Sequence, residues 1–257
     1  MTQYRTVGIA VLALVVVGAT TYLVLQPQAA QAPLDTTTGA TDPGSYSEKA
    51  AYYEIDASYA TVTPLREGAG TRADAVAVAL MKDFVTGRIA QFKKDGDFAN
   101  LTPADAAIMG LGEDRKWALE ISYLSSNSST TVSYVFNIYE DTGGAHGNKT
   151  FKTFTFNLQD GKALALSDLF VLNAPYLAAL STLARTELPK LLGEDVNEDM
   201  ITDGTTPEAK SFEHFFLDGA SLVLLFPPYA VAAYAAGPQT LAIPTTELKT
   251  ILKPEYQ

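Results

Sequence analysis

The stretch of residues 132–170, VSYVFNIYEDTGGAHGNKTFKTFTFNLQDGKALALSDLF, is the most regularly patterned part of the chain. Apolar and polar residues alternate over 132–138 and again over 152–158, which is typical of half-buried strands. Residues 141–149 connect the two predicted strands, whereas a minimal hairpin needs only about two to five connecting residues. The pattern predicts a β-hairpin whose loop, rich in glycine and containing one histidine, does more than reverse the chain.

Other alternating segments extend this hairpin into a sheet. Asp160-Gly161 predicts a type I′ turn into a short strand at 163–166. Further strands are predicted at 52–63, 117–123, 212–217, 222–226 and 239–243. The first of these precedes Pro64, which suits an edge strand, and the continuously apolar 222–226 suits a central one. Strands in direct succession favour antiparallel pairing.

Three segments are predicted to be helices, and one acidic segment is not. Residues 72–94 carry an apolar stripe, which predicts an amphipathic helix that covers the sheet. The stripe consists of Val76, Leu80, Phe84, Ile89 and Phe92. A second helix is predicted to begin at residue 174 or 175 and a third to span 245–252, while 193–210 predicts a solvated loop. The predicted fold class is α+β, with mostly antiparallel sheets packed against two or three helices.

The amino terminus carries a candidate membrane anchor. Residues 7–25 form an uncharged run of 19 residues, close to the roughly 20 that span a bilayer. Arg5 precedes the run and the next basic residue is Lys49, so the amino terminus is predicted to be cytoplasmic. We expect a tail at 1–6, a single transmembrane helix at 7–25, a flexible stalk at 26–50 and an extracytoplasmic region at 51–257. The alternative is a secreted protein released by signal cleavage, although Pro33 opposes cleavage at the small-residue site before it.

The composition excludes several classes of function. The net charge is -11, and removing the one positive charge of Arg5, the only charged residue before Asp35, leaves -12 for the remainder. Such an acidic region does not bind nucleic acid through its phosphates, but it can attract a cationic protein. The absence of cysteine excludes disulfides, a thiol nucleophile and thiolate metal sites. Two histidines without helical partner spacing give no zinc motif, and no cofactor is predicted.

A set of short motifs follows in order along the second half of the chain. They are GGAH at 143–146, DGK at 160–162, LSDLF at 166–170, LLF at 224–226, the tyrosines Tyr229 and Tyr234, and IP at 243–244. In this order they resemble the paired extracytoplasmic modules DUF4163 and DUF3298. These modules occur in the outer domain of the lysozyme-sensing anti-sigma factor of bacilli and in the non-catalytic amino-terminal part of a peptidoglycan deacetylase. The resemblance implies an α+β region near cell-wall material, DUF4163-like over 51–145 and DUF3298-like over 146–257.

The glycine-rich loop supplies most of the candidate site residues, and the two late tyrosines supply the rest. The candidates for ligand contact are Gly143, Gly144, His146, Asn148, Tyr229 and Tyr234. A catalytic hypothesis pairs His146, whose residue type titrates near neutral pH, with the carboxylate of Glu140 or Asp141 as a general acid/base pair. A structural hypothesis has the His146 ring bridging backbone groups of its own loop. The other histidine, His214, lies between Phe212 and Phe216 in a strand pattern and is predicted to be largely buried.

These observations favour a membrane-anchored, extracytoplasmic binding or sensing module. Its expected ligand is a cationic, lysozyme-like protein or a peptidoglycan fragment, bound without turnover. Two alternatives stay open. One is a cell-wall-directed hydrolase that uses His146 and a neighbouring carboxylate, and the other is a structural domain of an envelope assembly.

Overall fold

A computed structural model describes residues 44–61 and 70–257. The strands are β1 (Gly44–Lys49), β2 (Tyr53–Tyr59), β3 (Trp117–Asn127), β4 (Thr131–Asp141), β5 (Asn148–Asn157), β6 (Ala163–Leu164), β7 (Phe215–Asp218), β8 (Ser221–Phe226) and β9 (Gln239–Pro244). The helices are α1 (Gly70–Asp95), α2 (Pro103–Ile108), α3 (Tyr176–Leu192) and α4 (Glu198–Gly204). The predicted anchor at 7–25 lies outside the described residues, and within them no helix is long and apolar enough to cross a membrane.

The first sheet contains six strands in the order β1-β2-β3-β4-β5-β6. All its pairs are antiparallel except β2 with β3. That parallel pair requires a crossover, and α1 and α2 lie between the two strands in the chain. The predicted α+β class is confirmed, with this one parallel pair as an addition.

The edge of the first sheet differs from the prediction. We expected 52–63 to be an edge strand and 26–50 to be a flexible stalk. Instead β1, which occupies Gly44–Lys49 within that stalk, pairs with β2 and covers its edge. The reason lies in the alternation of this hexapeptide, because Tyr46 and Glu48 point toward α1 while Ser45 and Ser47 are exposed.

Helix α1 packs on one face of this sheet through a row of buried residues. The row consists of Ala77, Met81, Val85, Ile89 and Phe92. In the first half of the helix the predicted stripe is wrong by one residue. Ala77 and Met81 face the sheet there, whereas Val76 and Leu80 are 51% and 41% exposed. Apolar residues occupy both 76/80 and 77/81, so helical spacing alone could not decide which row faces the sheet.

A charged cluster fastens β1 to α1. The Glu48 carboxylate accepts hydrogen bonds from the Lys93 ammonium and from the hydroxyls of Tyr46 and Tyr53. The Lys93 ammonium also donates to the Tyr46 hydroxyl at 2.9 Å. These hydrogen bonds lower the pKa of Glu48 from 4.5 to about 2, and the bond from Lys93 has the largest effect.

This cluster predicts a stability difference that depends on pH. A lowered folded-state pKa stabilises the protein above the unfolded value, and the contribution is lost as the pH falls through the folded value. The side chains of Glu48 and Lys93 are each 33% exposed, so water screens their attraction. We therefore expect Glu48→Gln to lower the free energy of unfolding by about 1 kcal/mol at neutral pH. The difference from the wild type should disappear between pH 4.5 and about 2. Urea unfolding at several pH values measures it, and a difference that does not change with pH contradicts the assignment.

The second sheet contains three antiparallel strands in the order β7-β8-β9. The predicted central position of the apolar strand β8 is confirmed. Helices α3 and α4 cover one face through a core that includes Leu180, Leu188, Ile201 and Phe226. The other face contacts the first sheet through a small cluster of Val135, Phe216, Val223 and Leu225. Strand β4 is therefore buried on both faces over residues 131–136 rather than half-buried.

Three local predictions were wrong. The segment 193–210 contains helix α4, because Asn197 caps the amide of Met200 at 3.0 Å and the acidic first turn favours a helix start. The predicted last helix is reduced to a 3₁₀ helix over Thr245–Leu248 followed by a turn. The Asp160-Gly161 turn is not a two-residue I′ turn, since the backbone amide of Asn157 bonds to the carbonyl of Lys162 around a four-residue loop.

Candidate functional site

The loop between β4 and β5 spans residues 142–147 and is held at its first half by two side chains. Gly143, with φ +85°, donates its amide to the Asp141 carboxylate at 2.8 Å. The Arg115 guanidinium donates to the carbonyls of Gly143 and Gly144 at 2.6 and 3.3 Å. These contacts fix Gly143 and Gly144 beside the segment that leads into β3.

His146 occupies the second half of the loop and uses both ring nitrogens. Its Nδ1 lies 3.0 Å from the carbonyl oxygen of Gly147, and a carbonyl only accepts, so Nδ1 carries the proton. In the neutral ring Nε2 is then the acceptor for the Tyr229 hydroxyl, 3.3 Å away. The structural hypothesis for this histidine is thus realised on the Nδ1 side, with an additional contact to a distant loop.

Tyr229 and Tyr234 complete an aromatic cluster, defined here as His146, Tyr229 and Tyr234. The Tyr234 ring is stacked on the imidazole with centroids 3.7 Å apart, and its hydroxyl donates to the Gly147 carbonyl at 2.8 Å. The Tyr229 ring lies 5.5 Å from that of Tyr234 and is 57% exposed. The structure therefore brings together three of the six predicted contact residues, from loops more than 80 positions apart.

Tyr139 is a further member of this region and was not among the predicted site residues. Its ring lies against Gly147, where an added Cβ would approach ring atoms within 2.3 Å. Burial, and then the nearby Asp141, Tyr234 and Glu120, raise the pKa of Tyr139. The available signal was its position between the alternating residues 132–138 and the connection predicted at 141–149.

The close approach of Gly147 to Tyr139 gives a second prediction. We expect Gly147→Ala to lower the free energy of unfolding by about 1–3 kcal/mol, because the new methyl group forces the Tyr139 ring aside. The matched control is Gly144→Ala, whose Cβ would find only the His146 carbonyl at 3.7 Å. Thermal unfolding of both variants measures the difference. Equal losses of stability would show that the ring contact does not limit this position.

The two carboxylates proposed for catalysis do not contact His146. Glu140 forms an ion pair with Arg88 of α1 at 2.5 Å, on the helix-covered face of the sheet. Asp141 accepts from the amide of Gly143. In the described part of the chain no carboxylate is hydrogen-bonded to His146, so the geometry does not support an imidazole oriented by either of these acids.

The remaining predicted residues lie apart from the aromatic cluster. Asn148 is exposed at the start of β5, opposite Glu140. His214 is largely buried, as expected, with its side chain 17% exposed, and burial lowers its pKa. Among residues 44–61 and 70–257, no group of three or more histidine or acidic side chains is arranged to hold a metal ion.

Fold and site together define an α+β domain that presents an exposed aromatic cluster. Residues 167–246 match the family described as "Protein of unknown function (DUF3298)". This part of the chain is therefore similar to DUF3298, as its motifs implied. Tyr229 and Tyr234 lie within the matched residues, and His146 precedes them.

Two solved structures of DUF3298 family proteins share the fold. One, from Bacteroides fragilis, has a TM-score of 0.54 and 18% identity and covers 83% of this chain and 93% of its own. The other, from Pseudomonas aeruginosa, has a TM-score of 0.51 and 17% identity, with 85% and 97% covered. At these identities the likeness shows the architecture alone.

Curated relatives match about half of the chain. The peptidoglycan-N-acetylmuramic acid deacetylase PdaC of Bacillus subtilis is 37% identical over 126 residues, which are 49% of this chain and 27% of that protein. The immunogenic protein MPT64 of Mycobacterium tuberculosis is 22% identical over 122 residues, covering 48% of this chain and 52% of that protein. The resemblance to a peptidoglycan deacetylase is thus confirmed. The DUF4163-like half and the anti-sigma factor stay predictions.

Proposed function

We propose that this chain is a membrane-anchored, extracytoplasmic module that binds cell-wall glycan without turning it over. The observation that carries this proposal is Tyr229, a large aromatic residue that is 57% exposed although its backbone lies at φ +68°. A left-handed conformation is unfavourable for a residue with a side chain, and such strain clusters at functional sites. Burial of the ring does not explain why a tyrosine occupies this position.

The surroundings of Tyr229 suit a saccharide. The exposed ring of Tyr229 offers an apolar surface beside the stacked rings of Tyr234 and His146. Its hydroxyl contacts His146 and can still accept a hydrogen bond at the margin of that surface. A sugar ring likewise has apolar C–H faces and a polar edge, so it can stack on the rings and hydrogen-bond at their margin. Because the rings are fixed by stacking and by the bond from Tyr234 to Gly147, little side-chain entropy is lost on binding.

The location and ligand class draw support from the relatives and from the sequence. PdaC is named for an activity on peptidoglycan, and the apolar run at 7–25 is a candidate anchor that would display the domain at the wall. Glu140 is paired with Arg88, and Asp141 accepts from the amide of Gly143. Neither carboxylate is therefore placed to act with His146, which favours binding over the hydrolase alternative. A cationic protein is a second candidate ligand, favoured by the net charge of -11.

Titration of the full chain with soluble, muramidase-released peptidoglycan fragments tests the proposal. We expect saturable binding that weakens about five- to thirtyfold in Tyr229→Ala, the usual range for an aromatic contact worth one or two kcal/mol. Leu172→Ala is the matched control, since Leu172 is 89% exposed in a different loop. Absence of saturable binding by the wild type, or equal losses in both variants, would overturn the glycan assignment.

A further inference from the structure

The outer edge of the second sheet is open at strand β9. This strand pairs with β8 on one side only, since β8 lies between β7 and β9. A groove of about 420 Å³ borders the free edge. Residues 240–244 of β9 form one wall of the groove, and α3 forms the other with Leu183, Glu187, Lys190 and Leu191. Because Leu191 is 42% exposed, an unpaired strand edge lies beside an apolar side chain that the fold leaves uncovered.

The direction of the backbone groups of β9 follows from its pairing with β8. The amide of Thr245 donates to the carbonyl of Ala220 at 2.9 Å, which makes these residues a hydrogen-bonded pair of the antiparallel ladder. Such pairs alternate with non-bonded ones along a strand, so Ala242 and Thr240 direct their amides and carbonyls away from β8. In the described part of the chain no backbone hydrogen bond engages these outward groups.

Prolines bracket the two outward residues. The next backbone groups on the same side belong to Pro238, just before β9, and to Pro244, its last residue. Proline has no amide hydrogen to donate, and prolines at an edge limit its pairing with other chains. The outward donors of this edge are therefore the amides of Thr240 and Ala242 alone.

This outward row is complementary to a second copy of itself. In an antiparallel pairing centred on Leu241, Thr240 of each copy lies opposite Ala242 of the other, and each such pair exchanges two hydrogen bonds. The two prolines then oppose each other. If the pairing is centred on Thr240 or Ala242 instead, the other of these residues lies opposite a proline, and its carbonyl has no donor. The register centred on Leu241 is thus the symmetric one that pairs every outward amide and carbonyl of both residues.

We propose that the free edge of β9 is a dimerisation surface, where a second copy of this chain extends the three-stranded sheet into a continuous sheet of six strands. The pairing is two-fold and uses the edge of each copy once, so it closes at the dimer. Leu191 lies beside the added strand and is removed from water by it, which favours association. This inference does not depend on glycan binding.

Sedimentation equilibrium of the full chain in density-matched detergent micelles measures the association. We expect a monomer–dimer equilibrium with a dissociation constant in the micromolar range, as suits a small interface. Each copy has a net charge of -11, whereas the proposed contacts are backbone and apolar, so added salt should not weaken the dimer. A chain that stays monomeric up to about 0.1 mM overturns the proposal and leaves the edge to a strand of another protein.

Ala242→Pro tests the edge pairing selectively. The substitution removes an outward amide but no bond to β8, and an edge strand accepts proline at such a position. The dimer loses one hydrogen bond per copy, half of those between the two strands, so we expect association to weaken about ten- to a hundredfold. Ala242→Val is the matched control, because it keeps the amide and should associate like the wild type.

Leu191→Glu tests the same surface from α3 and does not depend on how the strand tolerates proline. A charge buried beside the added strand should weaken association about tenfold or more. The matched control is Ile108→Glu, at a position on α2 that is 85% exposed, which should leave association unchanged. Unchanged thermal midpoints, measured at concentrations where every variant is monomeric, rule out misfolding.

The absence of cysteine from the chain allows the register to be measured by cross-linking. A mixture of Thr240→Cys and Ala242→Cys chains should form disulfide-linked dimers on oxidation, because these positions face each other in the proposed pairing. Either variant alone places its two cysteines diagonally and farther apart, so it should cross-link less.

The outcomes bear on separate claims. Association that is unchanged in both Ala242→Pro and Leu191→Glu places the contact elsewhere in the chain and overturns the proposal. Cross-linking that is stronger in either single variant than in the mixture overturns the register centred on Leu241. A failure of fragment binding by the wild type would overturn the glycan assignment alone, since no residue of the aromatic cluster lines this groove.

Discussion

Replacing Gly204 with alanine is expected to lower the free energy of unfolding by about 3 kcal/mol, at the upper end of the usual range for overpacking. Gly204 is the last residue of α4, and a Cβ there would lie 1.8 Å from the carbonyl oxygen of Ala230 and 2.8 Å from its carbonyl carbon. Both contacts are with backbone, which cannot rotate away as a side chain can. The helix end or the loop at Ala230 must therefore move.

The displaced loop carries the candidate site, because Ala230 directly follows Tyr229. We therefore expect Gly204→Ala to weaken glycan binding as well, although the atoms nearest to the new Cβ belong to Ala230 and Val231 and not to the aromatic cluster. Urea unfolding and fragment titration of the same preparation measure the two effects together.

Gly87→Ala is the matched control for this substitution. Gly87 is exposed inside α1, and apart from its two chain neighbours and the local helix backbone no atom lies within 4 Å of its hypothetical Cβ. Alanine there should raise the free energy of unfolding by about 0.5–1 kcal/mol through helix propensity. If Gly204→Ala were as stable as Gly87→Ala, the close packing of α4 against the loop would be contradicted.

Local patterns in the sequence predicted much of the fold. Strand β3 followed from the alternation that begins at Trp117, and the central position of β8 followed from its continuous apolar run. These predictions succeed because burial of one face of a strand requires alternating apolar residues, and burial of both faces requires a continuous apolar run. The same reasoning failed for α1, where two adjacent apolar rows compete and only the tertiary contact selects one.

The candidate site was less accessible to sequence reasoning. His146 and Tyr229 were both selected, yet their contact joins residues 83 positions apart and depends on how two sheets pack. The carboxylates Glu140 and Asp141 looked like partners of His146 because they are close in sequence. In a strand, however, neighbours point to opposite faces, and Glu140 accordingly reaches Arg88 on the far side of the sheet.

Tyr229→Gly should separate the stability of the protein from its function. Glycine adopts φ values near +68° without steric penalty, so the substitution relieves about 1 kcal/mol of backbone strain. That gain offsets the loss of the weak hydrogen bond to His146, which is 3.3 Å long. We expect an unfolding free energy equal to or above that of the wild type, with fragment binding weakened about five- to thirtyfold.

Tyr229→Ala provides the comparison that isolates the strain. Both variants lack the ring and should bind fragments equally weakly, but alanine keeps the penalty of the left-handed conformation, so its variant should be less stable by about 1 kcal/mol. If Tyr229 were retained for packing alone, both variants would be destabilised and binding would fall only in step with unfolding. A glycine variant that is at least as stable as the wild type yet binds fragments about five- to thirtyfold more weakly shows instead that the strained tyrosine is maintained for its ligand.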